Sequence, residues 1–202
     1  MKIPKQARCV FRGVIFDVYQ WKQRLYDGST VTFERLKRPD TVQVIATSGK
    51  KIFISDEKQP DRPRFFSLFG GRIEVGETPL EAAKREFFEE SGMESPDWEF
   101  VKYYEPVVKI DWKIHLFIAR HCEQKSRQQL EAGERIRVRA VSFQQFFNIV
   151  FSSKFRGVEF SYDMLKMRTL QRREFEAFRR HLFDGTVAEY RFLYNVQNKR
   201  GG

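Results

Sequence analysis

The chain predicts an α/β (α+β) sandwich: a mixed β-sheet flanked by helices, with an N-terminal β-hairpin and C-terminal helices. Three observations lead there. Residues 9–55 carry runs of β-branched and aromatic residues broken by turn signals. One short, well-capped helix follows a glycine loop at residues 70–71. Further strand-like runs then give way to helical patterning after residue 142. Strands, a central helix, strands and then helices suit a sheet covered on both faces.

The elements follow in order. Residues 10–19 and 30–36 read as strands of the N-terminal hairpin, turning at Tyr26-Asp27-Gly28-Ser29. Residues 41–47 alternate as a strand, and Ser48-Gly49-Lys50 turns into a strand over 51–55. Residues 59–63, with two prolines, read as a loop. Residues 65–69 lead into Gly70-Gly71. Thr78-Pro79-Leu80-Glu81 has the form of a capping box with proline at the first helical position. Leu80, Ala83 and Phe87 give that helix an apolar stripe, and Gly92 suits a left-handed C-cap. Residues 98–104, 107–110, 113–121 and 135–141 read as strands, with a polar loop over 124–132. Residues 142–151 read as a helix capped by Ser142, and 160–182 as one longer basic helix. Residues 195–202 are polar and expected to fray. The organisation expected is a β-hairpin extension over 1–40, a core over 41–150 and a basic helical extension over 151–202.

Composition narrows the function classes. One domain with an elaborated end suits 202 residues. No apolar run reaches the roughly 18 residues that suggest a membrane span, and the polar, basic N-terminal residues do not read as a signal peptide. Cys9 and Cys122 are too few for a disulfide framework or a zinc site, which points to the reducing cytoplasm. The formal charge is +10, and residues 151–202 carry 11 Lys/Arg against 6 Asp/Glu. Such a surface attracts phosphorylated substrates or nucleic acid. The charges are interspersed, which favours a merely basic surface over a nucleic-acid partner. His115, His121 and His181 have no metal-ligand partner at useful spacing and read as structural or exposed.

The helix over 79–91 carries the chemistry. Glu86, Glu89 and Glu90 lie at i, i+3 and i+4, on one face. Three like charges that close repel unless a cation sits among them, and hard divalent ions such as Mg²⁺ or Mn²⁺ take carboxylate and phosphate oxygens. Arg85, next to Glu86, does not share its direction and is expected to pair with Glu77, locking loop to helix. A glutamate face of this kind is ordinarily just solvated. Here the whole spacing is specified: Gly71, five residues, Glu77, seven residues, Arg85-Glu86, an apolar residue, any residue, Glu89-Glu90, any residue, Gly92, an apolar residue.

That pattern resembles the Nudix box at every defined position, and the chain is identified as similar to Nudix hydrolases. The resemblance implies divalent-cation-dependent cleavage of a phosphoanhydride in a nucleoside diphosphate linked to another moiety. It assigns the metal to Glu86, Glu89 and Glu90, with a backbone carbonyl at Gly70 or Gly71, and makes Glu77 and Arg85 the brace. Other features are similar to the ADP-ribose pyrophosphatase branch. Gly133-Glu134 precedes an apolar strand, so Glu134 is the candidate base, with Glu131 in reserve. The strands over 32–42 imply a homodimer and offer Arg35 and Arg38 as substrate-binding residues. Tyr19 and Trp21 could stack on a base but more often belong to a core or dimer contact. Two departures stand out. Ser67-Leu68-Phe69 occupies the place of the branch's Glu-Leu-Pro, and Pro106 lies too close to the box to match its proline marker. The alternatives are a Nudix hydrolase of capped RNA, oxidised nucleotides or dinucleoside polyphosphates, and a non-enzymatic ligand sensor or RNA-binding module.

Overall fold

The computed structural model describes residues 2–185. It opens on an antiparallel meander, β1 (Arg8–Arg12), β2 (Asp17–Arg24) and β3 (Thr30–Lys37). The run over 10–19 is therefore two strands. Gly13 donates its N–H to the Phe16 carbonyl at 3.1 Å and turns the chain between them. The next three strands are β4 (Thr41–Ser48), β5 (Lys51–Gln59) and β6 (Arg62–Ser67). The loop expected over 59–63 shrinks to a turn at Pro60-Asp61. Pro63 is tolerated near the start of β6, before β6 gains its second partner.

Helix α1 (Pro79–Ser91) follows, then β7 (Met93–Glu94), β8 (Asp97–Tyr104), β9 (Ile110–Asp111), β10 (Ile114–Arg120), β11 (Glu123–Gln124) and β12 (Arg135–Val141). Of the strand expected over 107–110, only Ile110 is in β9, which pairs with β3. The chain continues through α2 (Phe143–Val150), β13 (Phe155–Arg156), α3 (Val158–Leu170) and α4 (Arg172–Asp184). The single helix expected over 160–182 is two, broken at Gln171 (φ −141°, ψ 58°). Unbroken, it would run about 35 Å at 1.5 Å per residue. The break lets both apolar faces, Phe160/Met164/Met167 and Phe175/Phe178/Leu182, pack in one core.

The central sheet runs β13-β6-β5-β4-β10-β8, with β12 on the other side of β5. Alternation along β4 divides the core. Val42, Val44 and Ala46 meet Ala83 and Phe87 of α1 on one face. Ile45, with Ile52, Ile54 and Leu116, meets α2, α3 and α4 on the other. The C-terminal helices thus belong to the same core as the sheet. Arg120, 2% exposed, donates to the His181 carbonyl at 2.8 Å, and Thr47 donates to that of Leu182 at 2.8 Å. Residues 186–202, including the segment expected to fray, lie outside the described residues.

One topological detail places the site. β12 holds one side of β5, so β4 and β6 share the other. β4 pairs with residues 51–53 of β5, and β6 with 55–59. Where they part, the chain leaving β6 crosses back along β4 through bridges at Val44–Phe69 and Thr41–Arg72. The glycine loop lies between those bridges.

Candidate active site

The capping of α1 is as the sequence predicts. Thr78 Oγ1 accepts the Glu81 N–H at 3.3 Å, and Glu81 accepts the Thr78 N–H at 2.8 Å. Gly92 (φ +69°) closes the helix with its N–H on the Phe88 carbonyl. The brace is also present. Arg85 Nε donates to Glu77 Oε1 at 2.7 Å, and its second guanidinium nitrogen donates to Oε2 at 2.9 Å. The same nitrogen reaches the Arg72 carbonyl at 3.0 Å, so loop and helix are joined at three points. Arg85 and the Glu74 N–H hold the Glu77 carboxyl down at about 2. One expectation is corrected: Arg85 does reach its neighbour, donating to Glu86 at 2.9 Å and to Glu89 at 3.2 Å. The long guanidinium folds back over the helix surface, where sequence adjacency alone suggested divergence.

The two glycines are required by contact. A Cβ at Gly71 would lie 2.5 Å from the Glu86 carboxylate, and one at Gly70 (φ +142°) would lie 2.1 Å from the Val42 carbonyl oxygen. Gly70 donates its N–H to Glu90 Oε2 at 2.8 Å. The Gly71 carbonyl accepts the Val42 N–H at 2.9 Å, which leaves one lone pair for a ligand.

The carboxylates gather from three segments. Burial pushes Glu90 well above the usual carboxylate range, the charge of Glu57 adds to this, and the Gly70 N–H opposes it. Burial also raises Glu86, against the pull of Arg85. Glu134 is raised by burial too; it feels Glu57 and Glu89, and its own charge is felt by Glu86 and Glu90. Glu134 therefore faces the helix carboxylates, while Glu131 supplies the backbone partners of its turn. Glu57 was not foreseen. It lies on β5, outside the motif, and becomes recognisable only once the strand pairing is known.

Among the described residues no three His, Cys, Asp or Glu side chains stand close enough, as they are oriented here, to hold a metal ion together. Glu86 and Glu89 lean on Arg85, and Glu90 on Gly70. The donor set nonetheless fits a hard divalent ion: oxygen ligands only, buried like charges, and a glycine where a side chain would strike Glu86.

A cavity of about 700 Å³ adjoins the loop. Glu77, Pro79 and Ile73 bound it, and Lys2, Lys37, Arg38 and Lys113 bring positive charge to it. Arg38 stacks 4.5 Å from the Trp112 ring centre, with its buried Nε lacking a hydrogen-bond partner. Burial and nearby Arg72 lower its pKa. Tyr19 also lines the cavity. Arg35 does not; it is 8% exposed, lies over Trp21 and donates to the Lys2 carbonyl at 3.1 Å. Trp21 is core. His115, read from sequence as structural or exposed, lines the cavity 3.2 Å from Asp40. Nothing in its sequence neighbourhood marked it.

Comparison with known proteins bears on the family and the fold. The NUDIX domain family model matches residues 37–166. The chain is 25% identical over 157 residues to an ADP-ribose pyrophosphatase of Bacillus subtilis (strain 168), covering 76% of this chain and 85% of that protein. It is 27% identical over 119 residues to a methanol dehydrogenase activator of Bacillus methanolicus, covering 57% of this chain and 64% of the other. The crystal structure of an ADP compounds hydrolase shares the fold with a TM-score of 0.66 at 18% identity, covering 83% of this chain and 95% of that one. No helix among the described residues is long and apolar enough to cross a membrane. With its box complete and its carboxylates gathered beneath the glycine loop, the chain belongs to the Nudix family and is a Nudix pyrophosphohydrolase.

Proposed function

We propose that the enzyme uses Mg²⁺ or Mn²⁺ to hydrolyse the phosphoanhydride of ADP-ribose or a related nucleoside diphosphate sugar. The observation that carries this reading is the pairing, across one braced loop, of an acidic cluster with a cavity where Lys2, Lys37, Arg38 and Lys113 outnumber Asp40, Glu77 and Asp111. Glu86, Glu89 and Glu90, with the Gly71 carbonyl, would hold the metal, which when bound neutralises the phosphates and acidifies the attacking water. Glu134 accepts the water's proton, its raised pKa bringing it nearer the operating pH. Arg85 and Glu77 keep the loop in place, and Arg38 presents a guanidinium suited to phosphate. Arg35 acts at one remove, positioning Lys2 at the cavity. The similarity to an ADP-ribose pyrophosphatase supports this substrate over other nucleoside diphosphates.

A homodimer through the N-terminal sheet is supported by Phe11, Val14 and Ile15, apolar yet exposed. A cytoplasmic location is supported by two free cysteines. The thiol of one of them, Cys122, is pushed up to about 12 by burial, which makes it inert. The basic C-terminal segment motivates a second reading, hydrolysis of capped RNA. Backbone binding would make that activity fall steeply with salt, unlike turnover of a small substrate. The substrate assignment is tested by Arg38→Ala. It should raise KM for ADP-ribose by roughly tenfold or more, the loss of a charge-assisted contact, with Mn²⁺ affinity unchanged. An unaltered KM would remove Arg38 from the substrate site.

A further inference from the structure

Adjacent acids on β5 meet opposite fates. Asp56 points to one face of the sheet, where Arg64 holds one carboxylate oxygen at 2.7 Å and Arg139 the other at 2.6 Å. The fold supplies two guanidinium groups for this single buried charge. Glu57 points to the other face, toward α1, and is only 8% exposed. Its hydrogen-bonded partners are the hydroxyls of Ser55 and Ser67, both on Oε1. Ser55 and Ser67 are cross-strand neighbours on β5 and β6, on the face that Glu57 shares at i+2. Among the described residues no lysine or arginine lies within ion-pair distance of Glu57; Arg62 senses it only at longer range. Its charged surroundings are instead acidic: Glu90 and Glu134 both feel it.

A buried carboxylate without a protein cation is costly, and this one is held in place by two hydroxyls. The Ser67 hydroxyl, on β6, orients this carboxylate from the neighbouring strand. We propose that Glu57 is a further carboxylate of the divalent-cation site, contributed by β5 from outside the motif and positioned by Ser55 and Ser67. Its missing counter-charge is the ion. The proposal rests on the metal reading given above.

The test is Mn²⁺ binding to the full chain, followed by the EPR signal of free Mn²⁺. Wild type is compared with Glu57→Gln, Glu86→Gln and Glu123→Gln, the last an exposed acid away from the site. Glu57→Gln should weaken Mn²⁺ binding by about tenfold or more, and its metal-free Tm should be no lower than wild type because a like charge has been removed. Glu123→Gln should bind as wild type. Wild-type affinity in Glu57→Gln, with binding weakened in Glu86→Gln, overturns the proposal and leaves the metal site standing. Failure of the wild type to take up Mn²⁺ sinks both. Should Glu57→Gln fold poorly, Glu57→Asp decides, since it keeps the charge and shortens its reach: weakened binding supports the assignment, and unchanged binding overturns it.

Discussion

Glu90 is the residue on which most of the site's electrostatics converge. It is buried, surrounded by Glu57, Glu86 and Glu134, and tied to the protein through the Gly70 N–H. Glu90→Gln should lower kcat by on the order of 10²–10⁴ while leaving the fold intact. Near-wild-type turnover would remove it from the metal site. Glu134→Gln should lower kcat by a similar order, and an unchanged kcat would discard Glu134 as the base. The three motif glutamates were legible because a helix fixes which positions share a face. Glu134 was legible only through resemblance. Glu57 was not legible at all: its place depends on the register of β5 against β6 and on where β4 leaves β5, neither of which is written in local spacing. His115 and Lys2 reach the cavity for the same kind of reason, through long-range pairing of distant segments.

At the scale of elements, the glycine loop and α1 act as one braced unit. Gly71→Ala puts a methyl group 2.5 Å from the Glu86 carboxylate, so either that side chain or the loop must shift. Turnover and Mn²⁺ affinity should both fall while Tm changes little; unimpaired activity would show that Glu86 need not lie under the loop. Thr78→Ala removes the N-cap and should cost about 1 kcal/mol of stability, read as a lower Tm with kcat retained. The cap, the proline at its first position and the terminal glycine were legible because each acts through nearest neighbours. The break at Gln171 was not. The spacing of apolar residues continues across it, and the break is set by the packing of both helices into one core.

The whole molecule assembles the site by covering a sheet on both faces and parting its strands at the centre. That arrangement stores like charge. Glu86, Glu90 and Glu134 all have raised folded-state pKa values, so between the ordinary glutamate range and those values the folded protein binds more protons than the unfolded chain. Their contribution is therefore stabilising at mildly acidic pH and is lost as pH rises through the raised values. Glu77 has the opposite sign, its stabilisation fading only as pH falls toward about 2. In EDTA, Tm should decline as pH rises above the ordinary glutamate range. Mg²⁺ or Mn²⁺ should flatten the decline, and Glu90→Gln should reduce it. A metal-free Tm that climbs as pH rises above that range, in the wild type and in Glu90→Gln alike, would contradict the stored-charge account.

The most direct measurement is hydrolysis of a substrate panel with Mg²⁺, with a phosphatase converting the released monophosphates to inorganic phosphate for detection. ADP-ribose, ADP-glucose, NADH, a diadenosine polyphosphate, 8-oxo-dGTP and capped RNA form the panel. Mg²⁺-dependent cleavage of ADP-ribose to AMP and ribose 5-phosphate is expected, faster than for the other compounds and abolished by EDTA. Preferred turnover of another member would contradict the substrate assignment, and metal-independent cleavage would contradict the site itself.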